Sequence, residues 1–282
     1  MINFFAMQFS YLLFLMTSVT LIVSCDKKSE SVAQSIELHN VNSTQPAWKS
    51  FSSLTFQTVR ELPHDPLAFT QGFLLHEGLW IESTGLEDQS SIRRVEVETG
   101  KVLLMKELKG DFFGEGATVL DGKIYQLSWK NQQGFVFDAT TLAWKKNFSY
   151  NGEGWGLTTD GKQLIMSDGT ETIRFYDPTA LKFTHTIEVK KSGQPIKMLN
   201  ELEYVEGEIF ANVWQTNEIV RINPTSGEVL GVIDLSGIDK AEEKKSVDHV
   251  LNGIAYDNNK KLLYVTGKCW PKIYQINLVE KK

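Results

Sequence analysis

The chain is poor in the residues that would tie it to the commoner catalytic and binding chemistries. Of its 282 residues, two are cysteine, five histidine and seven proline. The histidines (His39, His64, His76, His185 and His249) are scattered without metal-ligand spacing, and no carboxylate-rich cation loop is present, so no metal or other cofactor is assigned. No lysine/arginine cluster stands against the formal net charge of -6, which argues against a nucleic-acid partner. There is no Gly-x-Ser-x-Gly elbow and no phosphate loop. Helical periodicity is missing from residue 53 onward, apart from a weak stretch near 239–250.

Charge is absent from the front of the chain. Residues 1–24 are uncharged and continuously apolar, and Cys25 and the polar Asp26-Lys27-Lys28 follow. That pattern reads as a secretory signal, with an uncleaved anchor as the alternative because the run approaches the ~20 residues needed to span a bilayer. Ile22-Val23-Ser24-Cys25 resembles the bacterial lipoprotein processing box, in which the cysteine becomes the lipidated first residue. The expected location is therefore the cell envelope, with a lipid anchor at Cys25. Cys269 would then be the one remaining thiol, no internal disulfide could form, and packing alone would hold the fold. Residues 25–52, rich in Ser, Gln, Asn and Lys, read as a flexible tether ahead of a body at 53–282.

The body is repetitive. Phe69-Thr70-Gln71-Gly72-Phe73, Phe113-Gly114-Glu115-Gly116-Ala117, Gly154-Trp155-Gly156-Leu157, Leu199-Asn200-Glu201-Leu202 and Leu251-Asn252-Gly253-Ile254 each open a short strand that runs into a turn and a second strand. Gly72, Gly116, Gly156, Leu202 and Gly253 are taken as equivalent positions. A third strand ending in a turn follows each hairpin (Phe137-Asp138-Ala139-Thr140, for example), and in the first four modules a fourth strand follows. Four strands in ~40–50 residues mark a β-propeller blade. The expected fold is all-β: a five-bladed propeller of four-stranded antiparallel blades. The orphan strand Leu54-Thr55-Phe56-Gln57-Thr58-Val59-Arg60 would supply the last blade's missing outer strand and close the ring. A β-sandwich is the competing architecture, but it leaves the four-strand repeat unexplained.

Residues at equivalent blade tips converge on one mouth. Here they are Phe69, Gln71, Phe113, Glu115, Trp155, Asn200, Glu201 and Asn252, joined by Trp129, Asp168, Trp214 and Lys268 at the ends of the second strands. Aromatic walls around a few polar groups suit a small-molecule pocket. The same aromatics could simply plug a channel, and Asn200 and Glu201 could hold a hairpin through backbone bonds. Asp168, in Ser167-Asp168-Gly169, reads as a turn residue. Cys269 beside Lys268 is a candidate thiolate, though a small packed residue is the simpler reading because no histidine lies nearby in sequence. Glu115 is harder to explain as packing. A carboxylate flanked by glycines and aromatics loses hydration unless a donor or substrate meets it.

These motifs, with Leu127-Ser128-Trp129, Asn212-Val213-Trp214 and Thr266-Gly267-Lys268, resemble the plant and bacterial type of glutaminyl-peptide cyclotransferase over about residues 53–279. The resemblance implies a five-bladed propeller that turns N-terminal glutamine of peptides into pyroglutamate with release of ammonia and without a metal. It places the pocket on Phe69, Gln71, Phe113, Glu115, Trp129, Trp155, Asn200, Trp214 and Lys268. Glu115 would shuttle the proton, and Gln71, Asn200 and Lys268 would hold the side-chain amide. Glu201 is added as a neighbouring candidate. The chain departs from the family in the charged 239–248 insertion and in its lipoprotein front. A monomer is expected. The alternatives are a non-catalytic envelope-tethered propeller that binds a partner, and a metal-dependent propeller hydrolase.

Overall fold

The structure, a computed structural model, describes residues 45–239 and 246–282. The leader, Cys25 and most of the tether lie outside the described residues. The four residues Ala47–Ser50, expected to belong to the tether, instead form a short 3-10 turn docked on the body. Trp48 sets its ring edge-on to Phe210 at 5.6 Å. The buried Arg221 guanidinium lies over the Trp48 ring at 4.7 Å and donates to the Phe51 carbonyl at 2.8 Å. A tryptophan with both an apolar seat and a cation over its face has no reason to stay in solvent.

Among the described residues, strand β1 (Ser53–Pro63) precedes five groups of strands, or modules, each opened by a hairpin. The first holds β2 (Thr70–His76), β3 (Leu79–Thr84), β4 (Ser91–Glu96) and β5 (Val102–Glu107). The second holds β6 (Gly114–Leu120), β7 (Lys123–Ser128), β8 (Gln133–Asp138) and β9 (Trp144–Ser149). The third holds β10 (Leu157–Thr159), β11 (Leu164–Met166), β12 (Thr172–Asp177) and β13 (Lys182–Glu188), trailed by the small hairpin β14 (Lys190–Lys191) and β15 (Gln194–Pro195). The fourth holds β16 (Leu199–Val205), β17 (Glu208–Val213), β18 (Glu218–Ile222) and β19 (Val229–Asp234). The last holds β20 (Leu251–Asp257), β21 (Leu262–Gly267) and β22 (Lys272–Glu280).

Turn chemistry sets these strand ends. Glu77-Gly78, Asp121-Gly122 and Glu206-Gly207 all have positive φ at both central residues, the geometry that matches the twist of a two-residue hairpin. At the end of the third strand, Asp138 Oδ1 accepts from the Thr140 and Thr141 amides, and Asp177 and Asn223 form the same Asx turn there, as Asp257 does at the end of β20. The recurring Asp/Asn in the sequence thus has a local mechanical cause.

The first three modules are separate four-stranded antiparallel sheets. The fourth and last are joined through β1 in one eight-stranded sheet. β1 runs antiparallel to β22 from Leu54↔Glu280 to Pro63↔Lys272, and its first two residues also pair parallel to β19. Apolar residues pack between consecutive sheets. Leu74, Ile81 and Ile92 meet Ile124 and Phe137, for example, while Phe73 and Trp80 meet Ala255, Tyr264 and Ile273, so the last module packs on the first. The fold is all-β and propeller-like.

The module-opening strands also touch one another: β2 lies beside β6 and β20, β6 beside β10, and β10 and β20 beside β16. Glycine permits that approach. A Cβ at Gly72, Gly116 or Gly156 would overlap backbone atoms of the neighbouring strand. In the fourth module the matching residue is Glu201, not Leu202. Asn200-Glu201-Leu202 and Asn252-Gly253-Ile254 span the same register shift in their hairpins, which aligns Glu201 with Gly253. The Glu201 carboxylate accepts from the Phe73 amide at 3.2 Å and the Ile254 amide at 2.8 Å, so one acidic side chain ties module four to modules one and five.

Candidate active site

Four of the five opening hairpins contain a β-bulge at the strand entrance: between Thr70 and Gly72, Gly114 and Ala117, Leu199 and Leu202, and Leu251 and Ile254. Gln71, Glu115, Asn200 and Asn252 lie inside these bulges. A bulge breaks the alternation of side chains and re-aims the extra residue, which is how a strand that otherwise faces its neighbours can present a polar group at its end.

Gln71, Glu115 and Asn200 line a cavity of about 500 Å³, and Asn252 stands behind Gln71. Of the ten residues expected from sequence, nine line it: Phe69, Gln71, Phe113, Glu115, Trp129, Trp155, Asn200, Trp214 and Lys268. Glu201 does not. Both its oxygens are directed at backbone amides of other modules, so it is corrected from a pocket residue to a structural tie. Asp168 caps its own turn through the Thr170 amide and pairs with Arg174, as a turn residue would. Leu86, Ser246, Asp248, His249 and Cys269 complete the lining. Ser246 and Asp248 lie in the charged 239–248 insertion and His249 directly follows it, where the sequence offered no repeat to place them.

The buried floor consists of Gln71, Glu115, Asn200 and Lys268. Asn252 Nδ2 donates to Gln71 Oε1 at 3.3 Å, which turns Gln71 Nε2 toward Glu115 Oε1, also at 3.3 Å. Burial pushes the Glu115 carboxyl well above its ordinary range, with the Lys268 charge pulling it back and Glu153 adding to the rise. Burial likewise holds the Lys268 ammonium below its usual value, partly offset by Glu115 and Asp248. Lys268 Nζ sits 4.8 Å from the centre of the Phe69 ring. Two polar atoms in the wall, Asn200 Oδ1 and Trp214 Nε1, are buried and meet no protein partner among the described residues. Because both residues line the pocket, these atoms leave hydrogen-bonding capacity that a ligand could take up.

The aromatic walls fall into two edge-to-face runs. Phe69 meets Phe113 at 6.0 Å and Phe113 meets Trp129 at 5.7 Å, while Trp155 meets Trp214 at 5.6 Å. Sequence reasoning missed Glu153, whose Oε2 accepts from both Trp129 Nε1 at 2.7 Å and Trp155 Nε1 at 2.9 Å. Its position two residues before Trp155 was a weak signal, since the reach to Trp129 depends on tertiary structure. Among the described residues no group of three His, Cys, Asp or Glu could hold a metal ion.

Set against known proteins, the chain matches the glutamine cyclotransferase family model over residues 26–278. The chain belongs to that family. A glutaminyl-peptide cyclotransferase from Arabidopsis thaliana is 46% identical over 228 residues, which cover 79% of this chain and 71% of the plant protein. Among solved structures, Myxococcus xanthus glutaminyl cyclase superposes with a TM-score of 0.77 at 34% identity, over 82% of this chain and 99% of that one. Membership gives the pocket a chemical context.

Proposed function

We propose that the chain converts the N-terminal glutamine of peptides or proteins into pyroglutamate and ammonia, without a metal, on a five-bladed propeller that β1 closes. The observation carrying this reading is Glu115: one carboxylate on the floor of an aromatic pocket, pushed up by burial and flanked by an amide donor and a buried ammonium. A group that readily takes up a proton and readily returns it suits a reaction needing both steps.

The substrate's glutamine side chain folds back between the aromatic walls, and its α-amine attacks its own side-chain carbonyl carbon. As that C–N bond forms, Glu115 accepts a proton from the attacking nitrogen. Lys268 and the Gln71 amide stabilise the negative charge gathering on the carbonyl oxygen. Glu115 then gives the proton to the departing NH2 as the old C–N bond breaks, and ammonia leaves. The Asn200 side-chain Oδ1 and the Trp214 Nε1–H, both without protein partners among the described residues, are suited to meet the substrate's amide and backbone. The walls contribute by holding the cyclising conformer, an entropic gain. The floor offers one carboxylate, two amides and an ammonium, a donor set poorly matched to a cation.

The test is ammonia release from a short Gln-initiated peptide, with and without chelator, by wild type and Glu115→Gln. Wild-type release should survive the chelator, and the variant should lose at least about 100-fold in kcat while staying folded. Near-wild-type turnover by Glu115→Gln would end the shuttle assignment, and loss of release in chelator would end the metal-free one. Export and lipidation at Cys25 stand as part of the same proposal. Incorporation of labelled fatty acid into the wild type but not into Cys25→Ala is the expected result.

A further inference from the structure

Glu153 stands outside the pocket lining and outside the chemistry above, yet it joins the two halves of the pocket wall. Phe69, Phe113 and Trp129 form one run of edge-to-face rings, and Trp155 with Trp214 forms the other. A single oxygen, Glu153 Oε2, takes the indole N–H of Trp129 at 2.7 Å and of Trp155 at 2.9 Å, and so bridges the runs. The backbone reinforces the placement. The Gly154 amide donates to the Trp129 carbonyl at 3.0 Å, and the Trp155 amide to Ser167 O at 3.0 Å. The loop between β9 and β10 is thus fixed to the end of β7, and the carboxylate it carries cannot drift from either indole.

We propose that Glu153 is a positioning residue for the cyclisation: its carboxylate sets the angle between the Trp129 and Trp155 rings and thereby the width of the slot in which the substrate folds back. The proposal rests on the reading of the pocket as a cyclotransferase site. An indole pinned at its N–H retains one useful ring orientation, whereas a wall of unpinned tryptophans samples several. A carboxylate is suited to the bridge because a charged acceptor binds both donors more strongly than a neutral oxygen would. Because the reacting atoms must meet within a narrow range of distance, a slight loosening of the wall is felt in the rate.

The experiment uses the full chain and a Gln-initiated peptide, with urea midpoints fixing the folded fraction of each variant. Glu153→Ala should lower kcat/KM by about tenfold to a hundredfold and change the near-UV circular dichroism of the indoles. Glu153→Gln keeps an acceptor oxygen of the same reach and should restore most of both signals. In a Trp129→Phe background, which lacks one donor, Glu153→Ala should cost less than in the wild type, because the two residues act as a unit. Unchanged kcat/KM and unchanged near-UV signal in Glu153→Ala would overturn the proposal. So would a Gln variant as impaired as the Ala variant, or equal costs in both backgrounds. If the wild type itself releases no ammonia, the cyclotransferase reading fails. The near-UV comparison of the Ala and Gln variants then still decides whether Glu153 orders the wall.

Discussion

At the residue scale the pocket is a problem of two buried charges. Glu115 and Lys268 are each displaced by burial away from the charged form, and each draws the other back. Removing the cation therefore acts twice. Lys268→Met should lower kcat by about 100-fold through lost stabilisation of the oxyanion. It should also leave Glu115 without the charge that lowers its pKa, so the acid limb of kcat/KM moves to higher pH. A pH–rate profile checks the sign, and a limb that stays in place would mean that Glu115 is not the titrating base. Nine of the pocket residues were legible because each sits at a repeated motif, where aromatic and polar side chains interrupt a strand pattern. Glu153 was not legible as to role, and for Glu201 the sequence left backbone bonding open without showing that the bonds reach other modules. Which partner a carboxylate reaches depends on the neighbouring module, and no local spacing encodes that.

At the element scale, bulge and glycine work together: the bulge directs a side chain into the pocket while the adjacent glycine lets two backbones nearly touch. The closest approach among the module-opening glycines is at Gly156, in the hairpin without a bulge, where an added Cβ would run into the Asn200 backbone carbonyl, which cannot rotate away. Gly156→Ala should cost about 1–3 kcal/mol by overpacking and also disturb the Asn200 side of the pocket. Gly161→Ala, in an open turn at φ +84 with nothing near the new methyl, should cost only the strain of left-handed backbone, about 1 kcal/mol. Urea unfolding of both variants ranks them, and equal losses would remove close approach as the reason for the glycine. The hairpins themselves could be read from Asp-Gly turns and alternating strands. The bulges could not, because an extra residue in one strand is visible only against its partner.

At the scale of the whole molecule, the junction of the last module with the first is held by a buried ion pair as well as by apolar packing. His64 Nδ1 meets the Trp270 carbonyl at 2.6 Å and Nε2 meets Glu82 Oε1 at 2.8 Å. A carbonyl and an ionised carboxylate both accept, so the arrangement favours a ring that donates from both nitrogens, the imidazolium. Burial works against that charge, but the Glu82 charge and hydrogen bond and the Trp270 carbonyl outweigh it. His64 is raised above 6.5, while Glu82 is held below 4.5 by His64 and Arg93 against its own burial. The stability His64 adds is complete below its unfolded value and is lost as pH climbs through its raised folded value. The stability from Glu82 is complete above its own unfolded value and is lost as pH falls through its lowered folded one. Urea midpoints across roughly pH 5 to 9 should therefore decline on the alkaline side in wild type and stay flatter in His64→Gln. Parallel curves would exclude this pair as the cause. The modular layout was legible because the turns repeat. The eight-stranded sheet was not, since the parallel contact of β1 with β19 covers only Ser53 and Leu54. β1 also has a consequence during synthesis. Its partner strand contains Glu280, so at about 5–20 residues per second the ribosome leaves the N-terminal strand without its antiparallel mate for on the order of ten seconds or more. During that interval an unpaired edge is open to any neighbouring chain, and shielding it falls to the machinery that receives the nascent protein.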